Sequence, residues 1–189
     1  MRYEERPKKV DLRKFSNTRY KPGSGTKRTL WYAVNAVFFK TPLLYPGKLK
    51  LFLLGLFGAS IGKNVTIKPS VNIKYPWLLE IGDNVWIGEG VWIDSLGKVK
   101  IGNDVCISQG AYISTGNHNY KRSTFDLIIK EITIEDGVWI GARAIVCPGV
   151  KCGSHSVLTA GSVATGDLKP YKIYQGNPAV YKRDRNIEK

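Results

Sequence analysis

Cysteine, histidine and methionine are scarce in this 189-residue chain, which has three Cys, two His and one Met. The cysteines, Cys106, Cys147 and Cys152, are odd in number and lack metal-type spacing. A disulfide framework is therefore not expected, and a reducing compartment fits. The histidines, His118 and His155, are too few for a histidine-rich zinc site, and no metal is expected. Long apolar runs are also missing. The longest, Leu51 to Ala59, is too short to span a bilayer, and the first 29 residues contain none. No secretory signal is expected, so the expected location is the cytoplasm, with the inner face of the cytoplasmic membrane left open. Acid is in short supply, with 15 Asp+Glu against 29 Lys+Arg and a net charge of +14. A content of 43% hydrophobic and 23% charged residues excludes wholesale disorder.

The positive charge is uneven. Residues 1–60 hold 13 Lys/Arg and 3 Asp/Glu, whereas residues 61–189 hold 16 and 12. An acidic surface, a polyphosphate or an anionic membrane suits the first third, and a merely solvated basic face is the alternative. No nucleic-acid motif accompanies the charge, so no nucleic acid is expected as a partner.

What the chain does have is a repeat. Aliphatic residues recur every six positions: Ile61, Ile67, Ile73, then Ile81, Ile87, Ile93, then Ile101, Ile107, Ile113. After an interruption come Ile134, Ile140, Val146, Cys152, Leu158 and Ala164. A small or branched residue usually stands two places earlier, as at Val65, Val85, Val105 and Val138. A period of six suits neither a helix nor a hairpin meander. It predicts an all-β fold, a triangular parallel β-helix in which three hexads make one coil. Residues just before each aliphatic should face outward. They form three series: Ser60, Glu80, Lys100, Thr133, Lys151; Thr66, Trp86, Cys106, Trp139, Val157; and Asn72, Trp92, Tyr112, Ile145, Val163. One side is polar and two are largely apolar. Two apolar sides meeting at an edge predict a homotrimer, unless the chain's own arm or tail covers them.

The repeated Ile-Gly-x-x-Val-x pattern resembles the hexapeptide-repeat acyltransferases. Within that group, residues 10–183 are similar to the colanic-acid-biosynthesis acetyltransferases. The resemblance rests on Val10-Asp11-Leu12, Trp31-Tyr32, Leu56-Phe57-Gly58-Ala59 and Ile67 to Trp77, and on Thr115 to Tyr120, Ser123 to Leu127 and Tyr174 to Ala179. It implies a left-handed β-helix, although crossover connections are generally right-handed. It also implies acetyl-CoA-dependent O-acetylation of a sugar hydroxyl by trimers, with the active site between subunits. A sugar or lipid-linked saccharide of exopolysaccharide synthesis is the expected acceptor. An antibiotic-type acceptor and a non-catalytic trimeric scaffold are the competing functions.

The gap from Ile113 to Ile134 is 21 residues, an insertion spanning about 114–133. Long insertions in regular solenoids tend to carry function. This one holds His118 in the resembling motif. Acyl transfer to an alcohol needs a proton acceptor, and a neutral imidazole suits that task, so His118 is the expected general base. His155, in an ordinary turn, is read as solvated. Asp94 is a candidate to orient the histidine or bind the sugar, and Asn117 to hold the acceptor or an oxyanion. Direct transfer in a ternary complex is expected, without an acyl-enzyme.

The resemblance places coenzyme A beside Gly141, Ala142, Ala160 and Gly161, at equivalent positions on successive coils. Trp139 could touch its arm or adenine, with trimer packing the alternative. Asn177, in the tail motif, is expected near the nucleotide end. Arg183, with Lys182 and Arg185, could pair with phosphates. Many relatives have Lys where Gly166 stands, and Lys169 or Lys172 could replace it.

Three parts follow: a basic arm and helical cap over 1–60, the β-helix over 61–169 and a tail over 170–189. In the first part Thr26–Lys40 and Leu49–Phe57 read as short helices. They should cap the open end of the solenoid. Peripheral membrane contact through residues 26–57 is the second reading of the same segment.

Overall fold

The computed structural model describes residues 9–188. Residues 1–8 of the basic arm and residue 189 of the tail therefore lie outside the described residues. Each hexad becomes a strand of two or three residues and a turn, and the strands stack into three parallel sheets that form the faces of a prism. The first face holds Ser60–Ile61, Leu79–Ile81, Val99–Ile101, Ile132–Ile134 and Lys151–Cys152. The second begins with Thr66–Ile67, Trp86–Ile87, Cys106–Ile107, Trp139–Ile140 and Val157–Leu158. The third holds Asn72–Ile73, Trp92–Asp94, Tyr112–Ser114, Ile145–Val146 and Val163–Ala164.

Register follows the six-residue period. On the first face Ser60 pairs with Glu80, Glu80 with Lys100, Lys100 with Thr133 and Thr133 with Lys151. The second and third faces repeat the other two outward series residue for residue. The aliphatic series fills the prism, and all of it except half-buried Ile61 is buried. Val157 departs from its outward reading: it is buried, between Trp139 and Ile173 in the ladder.

The tail is less loose than its sequence suggests. Lys172–Gly176 joins the second face alongside Val157–Leu158, and Ala179–Asp184 folds back against it. A last coil otherwise leaves a row of unpaired backbone groups, and the tail strand satisfies them. Arg185 pins the end, its guanidinium donating to the carbonyls of Gly137 (2.8 Å) and His155 (3.1 Å).

The cap has two helices, α1 (Gly25–Val34) and α2 (Gly47–Leu56). Ser24 caps α1 by accepting from the Lys27 amide, and the helix continues as a π-helical turn, Asn35–Phe39. The cap is tied to the first coil. The Trp31 indole donates to the Ile73 carbonyl (2.8 Å), Asn35 donates to the Asn72 side chain (2.8 Å) and the Lys50 ammonium donates to the Lys68 carbonyl (3.0 Å).

Lys50 is the one buried lysine among the described residues, and burial lowers its pKa. The unfolded chain then binds more protons than the folded one between the two pKa values, so stability rises with pH across that alkaline window. In paired melts of wild type and Lys50→Met, wild type should gain Tm relative to the variant as pH is raised through it. A difference that is flat with pH would refute this.

Candidate active site

The insertion is not a shapeless loop. Gly116–His118 and Leu127–Ile129 form an antiparallel hairpin that pairs His118 with Leu127. Its root is held by Thr115, whose hydroxyl donates to the Asp94 carbonyl (2.8 Å) and accepts from the Gly97 amide (2.8 Å). Ser114 pairs with Asp94 in the third face, so Asp94 lies beside the root as expected. At the tip Arg122 bridges Asp126 at 3.2 Å. A hydrogen bond from Thr124, then Arg122, holds the Asp126 carboxyl below its ordinary range.

His118 is half-buried and held in three ways. Its Nδ1 lies 2.9 Å from the Phe125 carbonyl oxygen. A carbonyl only accepts, so in the neutral ring Nδ1 carries the proton and Nε2 the free lone pair. The Phe125 ring stacks on the imidazole at 4.4 Å and 7°, and Phe15 packs against it at 5.7 Å. Phe125 has φ +51°, a conformation costly for a bulky residue, and it is that conformation which presents both ring and carbonyl to His118. The orienting acceptor within the chain is thus a backbone carbonyl. The Asp94 carboxylate instead accepts from the Tyr112 hydroxyl (3.2 Å), and burial raises the pKa of that phenol. Asn117 uses its side-chain oxygen to accept from the His118 amide (2.7 Å).

The basic arm reaches this hairpin. The Asp11 amide donates to the Ser123 carbonyl (2.8 Å), and the Tyr20 hydroxyl donates to the Leu96 carbonyl (2.7 Å). Arm and hairpin enclose a cleft of 680 Å³ lined by hydroxyl, amide and charged groups, including Ser16, Asn17, Arg19, Arg122 and Asp126. Sequence reasoning gave Phe15 and Phe125 no role at the site, because neither is a chemically reactive residue. The quoted strings Val10-Asp11-Leu12 and Ser123-Thr124-Phe125 were the available signal.

The remaining candidates lie elsewhere. Ile140 pairs with Leu158, so Gly141 stands beside Thr159 and Ala142 beside Ala160. The two dipeptides are therefore offset by one position, because the repeat aligns on the aliphatic residue. A Cβ on Gly141 would lie 2.4 Å from the Ala160 amide nitrogen, so this glycine serves coil stacking. Ala160 and Gly161 are exposed. Trp139 is exposed and donates from its indole to the Ser108 hydroxyl (2.9 Å). Asn177 is exposed in the turn before Ala179–Asp184, and Arg183 is exposed on that strand. Lys172 is paired with Asp184, which takes it away from the role open at Gly166.

The profile of the hexapeptide repeat of succinyl-transferase matches residues 131–165. A protein of Escherichia coli (strain K12) named "Putative colanic acid biosynthesis acetyltransferase WcaF" is 40% identical over 178 residues, 93% of this chain and 97% of that protein. Two solved structures share the fold at 25% identity. The hexapeptide-repeat-containing acetyltransferase VCA0836 of Vibrio cholerae superposes with a TM-score of 0.77 over 86% of this chain and 92% of that one. A galactoside acetyltransferase in complex with coenzyme A does so at 0.74 over 85% and 82%.

The chain belongs to the hexapeptide-repeat acyltransferases.

It is an acetyltransferase of that family, and the placement of its candidate groups has a consequence. The His118 hairpin leaves the solenoid where the third face turns into the first. Ala142, Ala160 and Gly161 sit where the second face turns into the third. Within one chain of this hexapeptide-repeat acyltransferase, the third face separates the two corners.

Proposed function

We propose that this protein transfers acetyl from acetyl-CoA to a sugar hydroxyl in exopolysaccharide synthesis, the acceptor being a free or lipid-linked saccharide. The observation that carries the reading is His118, with Nδ1 committed to the Phe125 carbonyl and Nε2 left as a proton acceptor. Nε2 takes the hydroxyl proton as the sugar oxygen attacks the thioester carbonyl. The C–O bond forms, the C–S bond breaks, and the departing thiolate of coenzyme A receives the proton from the imidazolium. Asp94 and Asn117 are assigned to the acceptor side. The galactoside acetyltransferase solved with coenzyme A supports acetyl-CoA as the donor, and the named colanic acid relative supports a sugar acceptor.

The donor is assigned to the corner at Ala142, Ala160 and Gly161, with Trp139, Asn177 and Arg183 along its length. Because the third face separates that corner from His118, a complete site joins the corner of one subunit to the hairpin of another. Exposed Trp86 and Trp92, on the second and third faces, give a homotrimer its apolar contact.

The test is free-thiol release from acetyl-CoA across a panel of sugar acceptors, with the product ester identified by mass spectrometry. Release that depends on a saccharide is the expected result. Release with an antibiotic-type acceptor alone would replace the substrate class, and failure to bind coenzyme A would replace the enzymatic reading. Trp86 is 65% exposed, so Trp86→Glu should leave the monomer folded and shift sedimentation from trimer toward monomer, with loss of turnover. Full turnover by a monomer would refute the shared site.

A further inference from the structure

We propose that the outer surface of the helical cap docks on an anionic lipid bilayer. From Ser24 to Leu79 the chain contains no Asp or Glu and eight Lys or Arg. That field belongs to the cap and the first coil together. Arg28, Lys40 and Lys48 are exposed within it, and no acid in the segment offsets them.

Apolar side chains sit inside this basic field. Leu30, Ala33 and Val37 recur at i, i+3, i+7 and are exposed on one side of α1 and its π-helical extension, while Trp31, Asn35 and Phe39 are buried. On α2, Lys48, Phe52 and Leu56 recur at i, i+4, i+8 and are exposed, while Lys50 and Leu54 are buried. The connection between these helices, bounded by Pro42 and Pro46, presents consecutive leucines. Leu43 is exposed, and Leu44 is the most exposed large apolar side chain among the described residues, at 86%.

The trimer contact proposed above uses the second and third faces. The cap's polar contacts with the solenoid are to Lys68, Ser70, Asn72 and Ile73, all in the first coil, so it lies at one end of the prism. Its free surface is left for another occupant. Exposed Leu and Phe beside Lys and Arg, with acid absent over so long a stretch, match an interfacial surface that inserts apolar groups between acidic headgroups. No helix among the described residues is long and apolar enough to cross a membrane, so the contact is peripheral. A threefold arrangement would place three such surfaces at one end and strengthen binding by avidity. The proposal does not depend on the identity of the acceptor.

The experiment is co-sedimentation of the full chain with vesicles of phosphatidylcholine, with and without phosphatidylglycerol. Binding should be about tenfold stronger to the anionic vesicles and should weaken as salt is raised. The pair Leu43→Ser, Leu44→Ser should reduce it about fivefold or more, with Tm and thiol release on a soluble acceptor unchanged. Phe52→Ser, on the neighbouring helix, should weaken binding in the same direction. Failure to bind anionic vesicles would overturn the proposal. So would binding that the leucine pair leaves unchanged, or equal binding to neutral vesicles. Loss of binding with a lowered Tm in the pair would shift the decision to Phe52→Ser, where unchanged binding would overturn it.

Discussion

Replacing His118 by Ala lowers kcat for acetyl transfer by about 100-fold or more, because the variant has no positioned group to accept the sugar hydroxyl proton. Coenzyme A affinity should stay within about threefold of wild type, since the donor is assigned to a different corner of the prism. Thiol release at saturating acetyl-CoA reads the first quantity, and calorimetry with coenzyme A the second. Phe125→Ala is the companion variant. It keeps the backbone carbonyl that fixes Nδ1 but removes the ring stacked on the imidazole. A fall in kcat smaller than that of His118→Ala, with KM for acetyl-CoA unchanged, would mark Phe125 as a positioning residue. If His118→Ala retained more than a tenth of wild-type turnover, the proton acceptor would have to be sought elsewhere in the site.

The coils were legible because a solenoid is built from local rules. One hexad makes one strand and one turn, and each aliphatic must meet its counterpart on the next coil. The series Thr66, Trp86, Cys106, Trp139, Val157 therefore follows from counting, and the strand register reproduces it. His118 was legible for a related reason: an insertion that interrupts a strict period stands out, and it carries one of only two histidines. What surrounds His118 was not legible. The arm that brings Phe15 to the imidazole is joined to the hairpin by a contact between residues more than a hundred positions apart, Asp11 and Ser123, and no period links them. The Phe125 carbonyl is a backbone group, and its aim depends on a φ of +51° that composition does not announce. The tail strand Lys172–Gly176 lacks the hexad pattern and is strand because the last coil offers it a partner.

Gly141 is where the donor binding that the resemblance implies and the coil stacking that the geometry shows come apart. Its amide donates to the Leu158 carbonyl at 2.7 Å, which clamps the two coils together at that corner. An added Cβ would meet the Ala160 nitrogen at 2.4 Å and the Thr159 carbonyl carbon at 2.7 Å, both backbone atoms that cannot swing aside. Gly141→Ala should therefore cost about 3 kcal/mol, the upper range for overpacking, and lower Tm by about 6–12 °C. Gly141→Val has more to accommodate. It must open the ladder between the coils ending in Ala144–Val146 and Ser162–Ala164, at about 1 kcal/mol per lost hydrogen bond, and exposes core besides. Against a total stability of about 5–15 kcal/mol, that variant should be recovered largely unfolded. Ala160 is exposed at the same corner, so Ala160→Glu should leave Tm near wild type and raise KM for acetyl-CoA, by blocking the groove and repelling the donor's phosphates. Thermal melts and donor titrations on the two variants separate the assignments. A raised KM in Gly141→Ala without a fall in Tm would return Gly141 to the donor groove, and a normal KM in Ala160→Glu would move the donor away from this corner.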